Sequence, residues 1–209
     1  VTWYKNCFSA IKNADAIIVM SKFSKNEALR LTDLDEEKLH VVYNGIDHNI
    51  FRPIKKKNLE KIKIGYVGGL DGRKNVSLLV AAFRKISRDY ENVELHVAGT
   101  GKNLHRFREM KLKNSFFYGF VPDDKIVQFY NMLDIFVFPS LQEGFGFSLV
   151  EAMSFGLPIV AMKAGSSPEI LNKSGILVEP SIQALSEALA RLIDSNALRN
   201  KLGKKALKQ

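Results

Sequence analysis

The sequence predicts an α/β fold: a Rossmann-like, doubly wound parallel sheet with helices on both faces. Two observations predict it. From Ile62 onward, apolar runs of strand length alternate regularly with helical runs. The apolar runs are nearly continuous while the helical runs are amphipathic, which is the pattern of a parallel sheet buried on both sides. In such sheets ligands bind beyond the carboxyl ends of the strands, so the loops after the strands are where chemistry is expected.

Residues 3–13 read as a helix end, Ala16 to Met20 as a short buried strand, and Ser21 as the cap of a helix reaching about Leu31. Asp33 to Lys38 form an acidic turn, Leu39 to Tyr43 a second strand, and Asn44-Gly45 a strong turn signal. Composition then shifts: Pro53 and the cluster Lys55-Lys56-Lys57 stand among few apolar residues. Residues 44–60 therefore read as a linker between residues 1–43 and a domain spanning residues 61–209. In that domain strands are expected at Ile62–Val67, Val93–Ala98, Ser115–Tyr118, Ile135–Phe138, Pro158–Met162 and Gly175–Val178. Helices are expected at Val76–Ser87, Asn103–Met110, Asp123–Met132, Phe147–Phe155, Ser181–Ile193 and Ala197–Lys208.

The 209 residues are 46% hydrophobic and 25% charged, the balance of an ordinary globular chain. A net charge of +9 fits phosphorylated ligands, nucleic acid or an anionic membrane surface. The lysines are mostly dispersed and no aromatic-basic ribbon appears, so nucleic acid is not the expected partner. Cys7 is the only cysteine, which excludes an intrachain disulfide and a cysteine-rich zinc site and suggests a reducing, cytoplasmic setting. No signal peptide is visible, and no apolar run reaches the roughly 18 residues of a membrane span. Membrane contact, if any, is expected to be peripheral, on the cytoplasmic face. The start, Val1-Thr2-Trp3-Tyr4, has no initiator methionine or helix cap, and the end stops inside a basic helical pattern; both ends are expected to be cut from something longer.

The most informative stretch runs from Pro139 to Pro158. A loop carrying Glu143, Gly144, Phe145 and Gly146 follows an apolar run and leads into a helix that begins with Phe147 and Ser148 and carries Glu151 one turn in. A strand, a glycine-bearing loop and a helix start form an anion site, because helix-start N–H groups and the positive dipole end favour phosphate. The two carboxylates, eight positions apart, are badly placed to bind phosphate. They are well placed to accept hydrogen bonds from hydroxyls on either side of it, as in a ribose–diphosphate–sugar ligand. A lone pair of glutamates would read as solvated; bracketing Gly-Phe-Gly between a strand and a helix argues otherwise.

Other loops add to this. Gly68-Gly69-Leu70-Asp71-Gly72 precedes Arg73-Lys74-Asn75, so adjacent cations stand at a helix start, where a guanidinium fork beside an ammonium can clamp a diphosphate. Gly99-Thr100-Gly101-Lys102 is not a phosphate-binding loop of the kinase type, since His96 and Asn103 stand where that motif needs Gly and Ser or Thr. Gly119-Phe120-Val121-Pro122 ends at Asp123, which reads as a helix cap. Asp33-Leu34-Asp35 sits in an acidic turn and reads as solvated. His40, His48, His96 and His105 lack metal spacing, and His96 reads as a packed strand residue. No metal site and no cofactor are expected.

The segment from Glu143 to Ala152 resembles the Glu-x7-Glu signature of retaining glycosyltransferase family 4, enzymes with two facing Rossmann-like domains, the GT-B fold. The loop around Lys74 resembles the family's diphosphate-binding loop; Lys74 matches its lysine, Gly69 stands where its arginine is expected, and Arg73 is the nearest replacement. Pro168-Glu169 resembles a later helix start of the family, and Asn44-Gly45-Ile46-Asp47 its interdomain turn. The resemblance implies that residues 1–43 end the N-terminal domain and that residues 61–209 are the donor-binding C-terminal domain of a metal-independent hexosyltransferase. It implies that Lys74 and Arg73 hold the diphosphate, Glu143 orients the donor sugar, Glu151 holds the ribose, Gly99 and Gly101 line the nucleotide pocket, and the backbone of Phe120 and Val121 reads the base. The implied substrates are a nucleotide-diphosphate sugar and a sugar or lipid-linked acceptor. Two other readings stay open: a non-catalytic nucleotide-sugar-binding module, and a sugar-nucleotide epimerase on the same fold.

Overall fold

The structure, a computed structural model, describes residues 11–54 and 61–209. Cys7, most of the helix end predicted at residues 3–13, and the cluster Lys55-Lys56-Lys57 lie outside the described residues; residues 11–13 are helical. The chain divides into two compact units, Val1–Gly45 and Ile46–Gln209.

The first unit is a strand–helix–strand element. Strand β1 (Ile17–Val19) pairs in parallel with β2 (Leu39–Val41), and helix α1 (Lys22–Leu31) connects them. As predicted, Ser21 caps α1, its Oγ accepting from the Ser24 N–H at 2.9 Å. The acidic turn is ordered by Asp35, whose carboxylate accepts from the Glu37 N–H at 3.1 Å.

The predicted linker divides at the boundary between the units. Residues 46–54 belong to the second unit, where the Phe51 ring meets Phe155 edge-on at 6.0 Å and the Ile54 N–H donates to Asn131 Oδ1 at 2.7 Å.

The second unit is a six-stranded, all-parallel sheet. Its strands are β3 (Ile62–Val67), β4 (Val93–Ala98), β5 (Ser115–Gly119), β6 (Ile135–Phe138), β7 (Ile159–Met162) and β8 (Ile176–Val178). They lie in the order β5-β4-β3-β6-β7-β8. The helices are α2 (Val76–Ile86), α3 (Leu104–Glu109), α4 (Asp123–Met132), α5 (Phe147–Ser154), α6 (Ser167–Leu171), α7 (Ile182–Asp194) and α8 (Asn196–Lys208). Among the described residues no helix is long and apolar enough to cross a membrane.

The nearly continuous apolar strands are explained by two cores. Every residue of β6 and β7 is buried, and alternate residues feed opposite faces. Ile135, Val137, Val160 and Met162 join one cluster with α2 and α7. Phe136, Phe138, Ile159 and Ala161 join another with α4 and α5. Burying one such side chain contributes about 1.5–3 kcal/mol, so neither face of these strands can be opened cheaply.

In the second unit strand ends fall within one residue of those predicted, while β2 stops at Val41, two residues before the expected Tyr43. One expected helix cap changes, and one expected helix start is found. Asp123 does not cap α4: the extended Pro122 (φ −63, ψ 157) holds that position, and Asp123 and Asp124 fill the first turn, where their charges suit the helix dipole. The helix start expected at Pro168-Glu169 is a five-residue helix, α6, with Pro168 in its first turn.

The strand order has one consequence for function. From β3 the chain winds outward through β4 to β5, then returns to the other side of β3 as β6. The loops after β3 and β6 therefore flank a crevice where the winding reverses. Asp134 joins β3 to β6 at the opposite, amino-terminal end of these strands: its carboxylate accepts from the Lys63 N–H at 2.9 Å and its own N–H donates to the Lys63 carbonyl at 2.8 Å.

Candidate functional site

The loop after β3 is built over Tyr66, a fully buried residue whose hydroxyl donates to the Gly69 carbonyl at 2.8 Å. Gly68 has φ +148, and a side chain there would begin 2.7 Å from that hydroxyl. Burial, then the nearby Glu143 and Asp71 carboxylates, push the Tyr66 phenol well above its ordinary range. Asp71 caps a short 3-10 turn, Gly72–Lys74, and Asn75 (φ 53) turns the chain into α2. This presents Arg73 and Lys74 differently. Arg73 is 62% exposed, with Asp71 3.8 Å away. Lys74 is only 19% exposed and forms an ion pair with Glu143, itself 13% exposed.

The glycines after β4 have a packing role. A side chain on Gly99 would begin 1.8 Å from the Gly68 carbonyl oxygen, and one on Gly101 would begin 2.8 Å from the Leu70 nitrogen. Without them the Leu70 N–H donates to the Thr100 carbonyl at 2.8 Å, and the Gly99 N–H to the Gly119 carbonyl at 2.7 Å. Three successive strand-end loops are thereby held side by side. Beyond β5, Phe120 is 74% exposed while Val121 packs on the second core.

The loop after β6 meets the first loop directly. Besides the Lys74–Glu143 pair, the Leu141 N–H donates to the Arg73 carbonyl at 3.1 Å. The backbone on either side of Gly144 is braced by the loop after β7: the Ser166 N–H donates to the Glu143 carbonyl at 3.2 Å, and the Ser166 hydroxyl to the Phe145 carbonyl at 3.0 Å. Gly165 (φ +57) permits this, because a side chain there would begin 2.9 Å from the Glu143 nitrogen. Phe145 is buried and meets the exposed Phe147 edge-on at 5.6 Å. Helix α5 then starts at Gly146 (φ 87), with no side-chain cap. An α-helix leaves its first N–H groups without partners in the helix, and at Phe147 and Ser148 no side chain at the cap position competes for them.

Glu151 lies one turn into α5 and has a different partner. Tyr130 of α4 donates its hydroxyl to Glu151 Oε2 at 2.6 Å. Burial raises the Glu151 pKa, the Tyr130 bond opposes this, and the Asp123 charge adds to it. The two glutamates thus have separate environments: Glu143 faces a cation, Glu151 a phenol.

The remaining histidine expectation holds. His96 on β4 is buried, with Nδ1 2.8 Å from the Tyr118 hydroxyl and Nε2 3.1 Å from Glu94; burial lowers its pKa despite Glu94. Among the described residues, no group of three or more His, Cys, Asp and Glu is arranged to hold a metal ion. Sequence reasoning missed Tyr66, Tyr130, Gly165 and Ser166. Tyr130 reads as part of an apolar helix stripe, and the other three gain a role only through contacts between distant loops.

Together these groups form a crevice with a partly shielded ammonium, an exposed guanidinium, an uncapped helix start and two carboxylates in different settings. That set can neutralise a diphosphate and accept hydrogen bonds from hydroxyls.

Comparison with known proteins bears on family and fold. Residues 47–209 match the family described as glycosyl transferases group 1, and residues 2–50 match that described as glycosyltransferase family 4. The phosphatidylinositol N-acetylglucosaminyltransferase GPI3 subunit of Saccharomyces cerevisiae is 31% identical over 206 residues, covering 90% of this chain and 45% of that protein. The chain spans about half the length of such curated relatives. Among solved structures, a sucrose-phosphate synthase from Thermosynechococcus elongatus superposes with a TM-score of 0.84 at 24% identity, covering 96% of this chain and 54% of the other. HepE from Anabaena, in complex with UDP-glucose, superposes with a TM-score of 0.82 at 23% identity, covering 95% of this chain and 59% of the other. These neighbours share the GT-B fold.

Proposed function

Because this chain belongs to the glycosyl transferases group 1 family, we infer that it is the donor-binding part of a retaining, metal-independent hexosyltransferase of family 4 type that uses a nucleotide-diphosphate sugar. The observation that carries this reading is the meeting of Lys74 and Glu143 where the sheet's winding reverses, beside the uncapped start of α5. A nucleotide sugar in this crevice would set its diphosphate between Lys74, Arg73 and the N–H groups of Phe147 and Ser148.

Transfer breaks the bond between the anomeric carbon and the diphosphate oxygen and forms one from that carbon to an acceptor hydroxyl oxygen on the same face; the leaving diphosphate keeps the electron pair and takes up the hydroxyl proton. Lys74, Arg73 and the helix start take up that charge by preorganised electrostatics. These cationic groups fill the part that a divalent ion plays elsewhere. Glu143 accepts hydroxyls of the sugar, and Glu151 those of the ribose. The base sits against the backbone of Phe120 and Val121, and the Gly99 and Gly101 loops border the nucleotide. The UDP-glucose held by the Anabaena neighbour supports a nucleotide-sugar donor. The name of the yeast relative, a phosphatidylinositol N-acetylglucosaminyltransferase subunit, supports a lipid acceptor.

The test is calorimetry of the chain with UDP, ADP, GDP and UDP-glucose, with and without a chelator, beside a transfer assay of the chain and of a version extended to the length of its relatives. Weak, chelator-insensitive binding is expected, with transfer only by the extended protein. Binding abolished by the chelator would overturn the metal-independent mechanism, and absence of binding to every compound would overturn the donor reading.

A further inference from the structure

We propose that Tyr130 is a positioning residue for nucleotide binding: its hydroxyl, held by the core, fixes the Glu151 carboxylate so that one oxygen faces the ribose. This rests on the donor-binding reading given above.

Tyr130 has no freedom of its own. Its ring is fully buried, stacked on Phe155 at 5.1 Å and 13°, tilted against Phe136 at 5.8 Å, and edge-on to Phe129 at 6.5 Å. Only the hydroxyl reaches out of this packing. A phenol has one proton to give. The Ser148 carbonyl lies 3.5 Å away, too far to compete with Glu151 Oε2 at 2.6 Å. Oε2 is therefore held and oriented by the protein. Among the described residues Oε1 has no protein partner, and it is not one of the sealed, unpartnered side-chain atoms. One carboxylate oxygen is fixed to the core and the other is left to accept a ligand hydroxyl. A glutamate otherwise loses several rotatable bonds on binding; here that ordering precedes the ligand.

The same bond has an electrostatic side. Burial favours the neutral acid at Glu151, and the Tyr130 hydrogen bond favours the carboxylate. Tyr130 and Asp123, both on α4, are the titratable groups that act on Glu151, and Tyr66 on β3 acts on Tyr130. Removing the phenol hydroxyl should raise the pH below which the carboxylate, and with it nucleotide binding, is lost.

The experiment is a UDP titration of the chain by calorimetry between pH 5 and 8. Tyr130→Phe, which keeps the ring, should weaken binding about tenfold at neutral pH, the scale of a hydrogen bond to a charged group. It should also move the acidic limit of binding to higher pH. In a Glu151→Ala background it should have no further effect. Unchanged affinity in Tyr130→Phe, with Glu151→Ala still weakened, overturns the proposal and leaves the donor reading standing. Equal weakening by Tyr130→Phe with and without Glu151 overturns it too, since the ring would then act by packing alone. Unchanged affinity in Glu151→Ala overturns the ribose assignment and the proposal with it. Should Tyr130→Phe fail to fold, 3-fluorotyrosine at position 130 decides: it keeps the ring and strengthens the donor, so the acidic limit should fall, and an unmoved limit overturns the proposal.

Discussion

Lys74 and Glu143 stand 69 positions apart in the chain, and their side chains meet in an ion pair that is mostly shielded from solvent. Each neutralises the other, and each would be left as a part-buried charge if its partner were removed. On the proposed reading, a diphosphate arriving in the crevice would compete with Glu143 for the same ammonium.

Glu143→Gln keeps the shape of the side chain and removes that competition. The variant is expected to bind UDP at least as tightly as the native chain, and UDP-glucose more weakly relative to UDP than the native chain does. Paired calorimetric titrations check this; a clear fall in UDP affinity would contradict the competition.

Lys74→Ala and Arg73→Ala should each weaken UDP more than uridine. The loss for Lys74 should be the larger, about 1–3 kcal/mol, because it is shielded while Arg73 is largely exposed. Equal losses of nucleoside and diphosphate affinity would show that both residues act through folding.

Glu151→Gln separates stability from binding. Burial raises the pKa of Glu151, so its stabilising contribution is full below the ordinary value of 4.5 and is lost as pH rises through the raised folded value. The native chain should therefore lose melting temperature over that window relative to the Gln variant. At neutral pH the variant should melt no lower than the native chain while binding UDP about 1–3 kcal/mol more weakly. A variant that melts lower at neutral pH and no lower at pH 4 would reverse the sign and exclude burial as the dominant influence.

Gly165→Ala should cost more than about 1 kcal/mol, since the residue is left-handed at φ +57 and its new methyl would press on the Glu143 backbone. Gly72→Ala, with open space around it, serves as the contrast. Urea melts of both variants, with UDP-glucose binding as a second readout, test whether position 165 supports Glu143 in particular.

The middle of the sheet was legible in the sequence because β6 and β7 are buried on both faces and carry no polar interruption; Ile135–Phe138 is the clearest case. Asp123 was misplaced because Pro122 and Asp123 both suit a helix start, and proline's fixed φ already gives the extended cap conformation. The helix Ser167–Leu171 is too short for an apolar period to declare itself, and only Pro168-Glu169 hinted at it. Within the site, the sequence pointed to Lys74, Glu143 and Glu151 as residues, but their partners depend on which strands become neighbours. Glu151 finds Tyr130 rather than a second charged group, a pairing no local pattern encodes.

The alternation of β6 between the two cores bears on which length changes the gene can tolerate. Deleting one codon within Ile135–Phe138 would exchange the aliphatic and aromatic layers, sending rings where Ile135 and Val137 now sit. The same deletion would draw the loop bearing Glu143 back along the sheet by one residue, about 3.3 Å, away from Lys74. Structural damage and loss of the crevice would thus arrive in a single event. Gains and losses of codons among descendants of this gene are expected in loops remote from the β6 strand and the loop it carries.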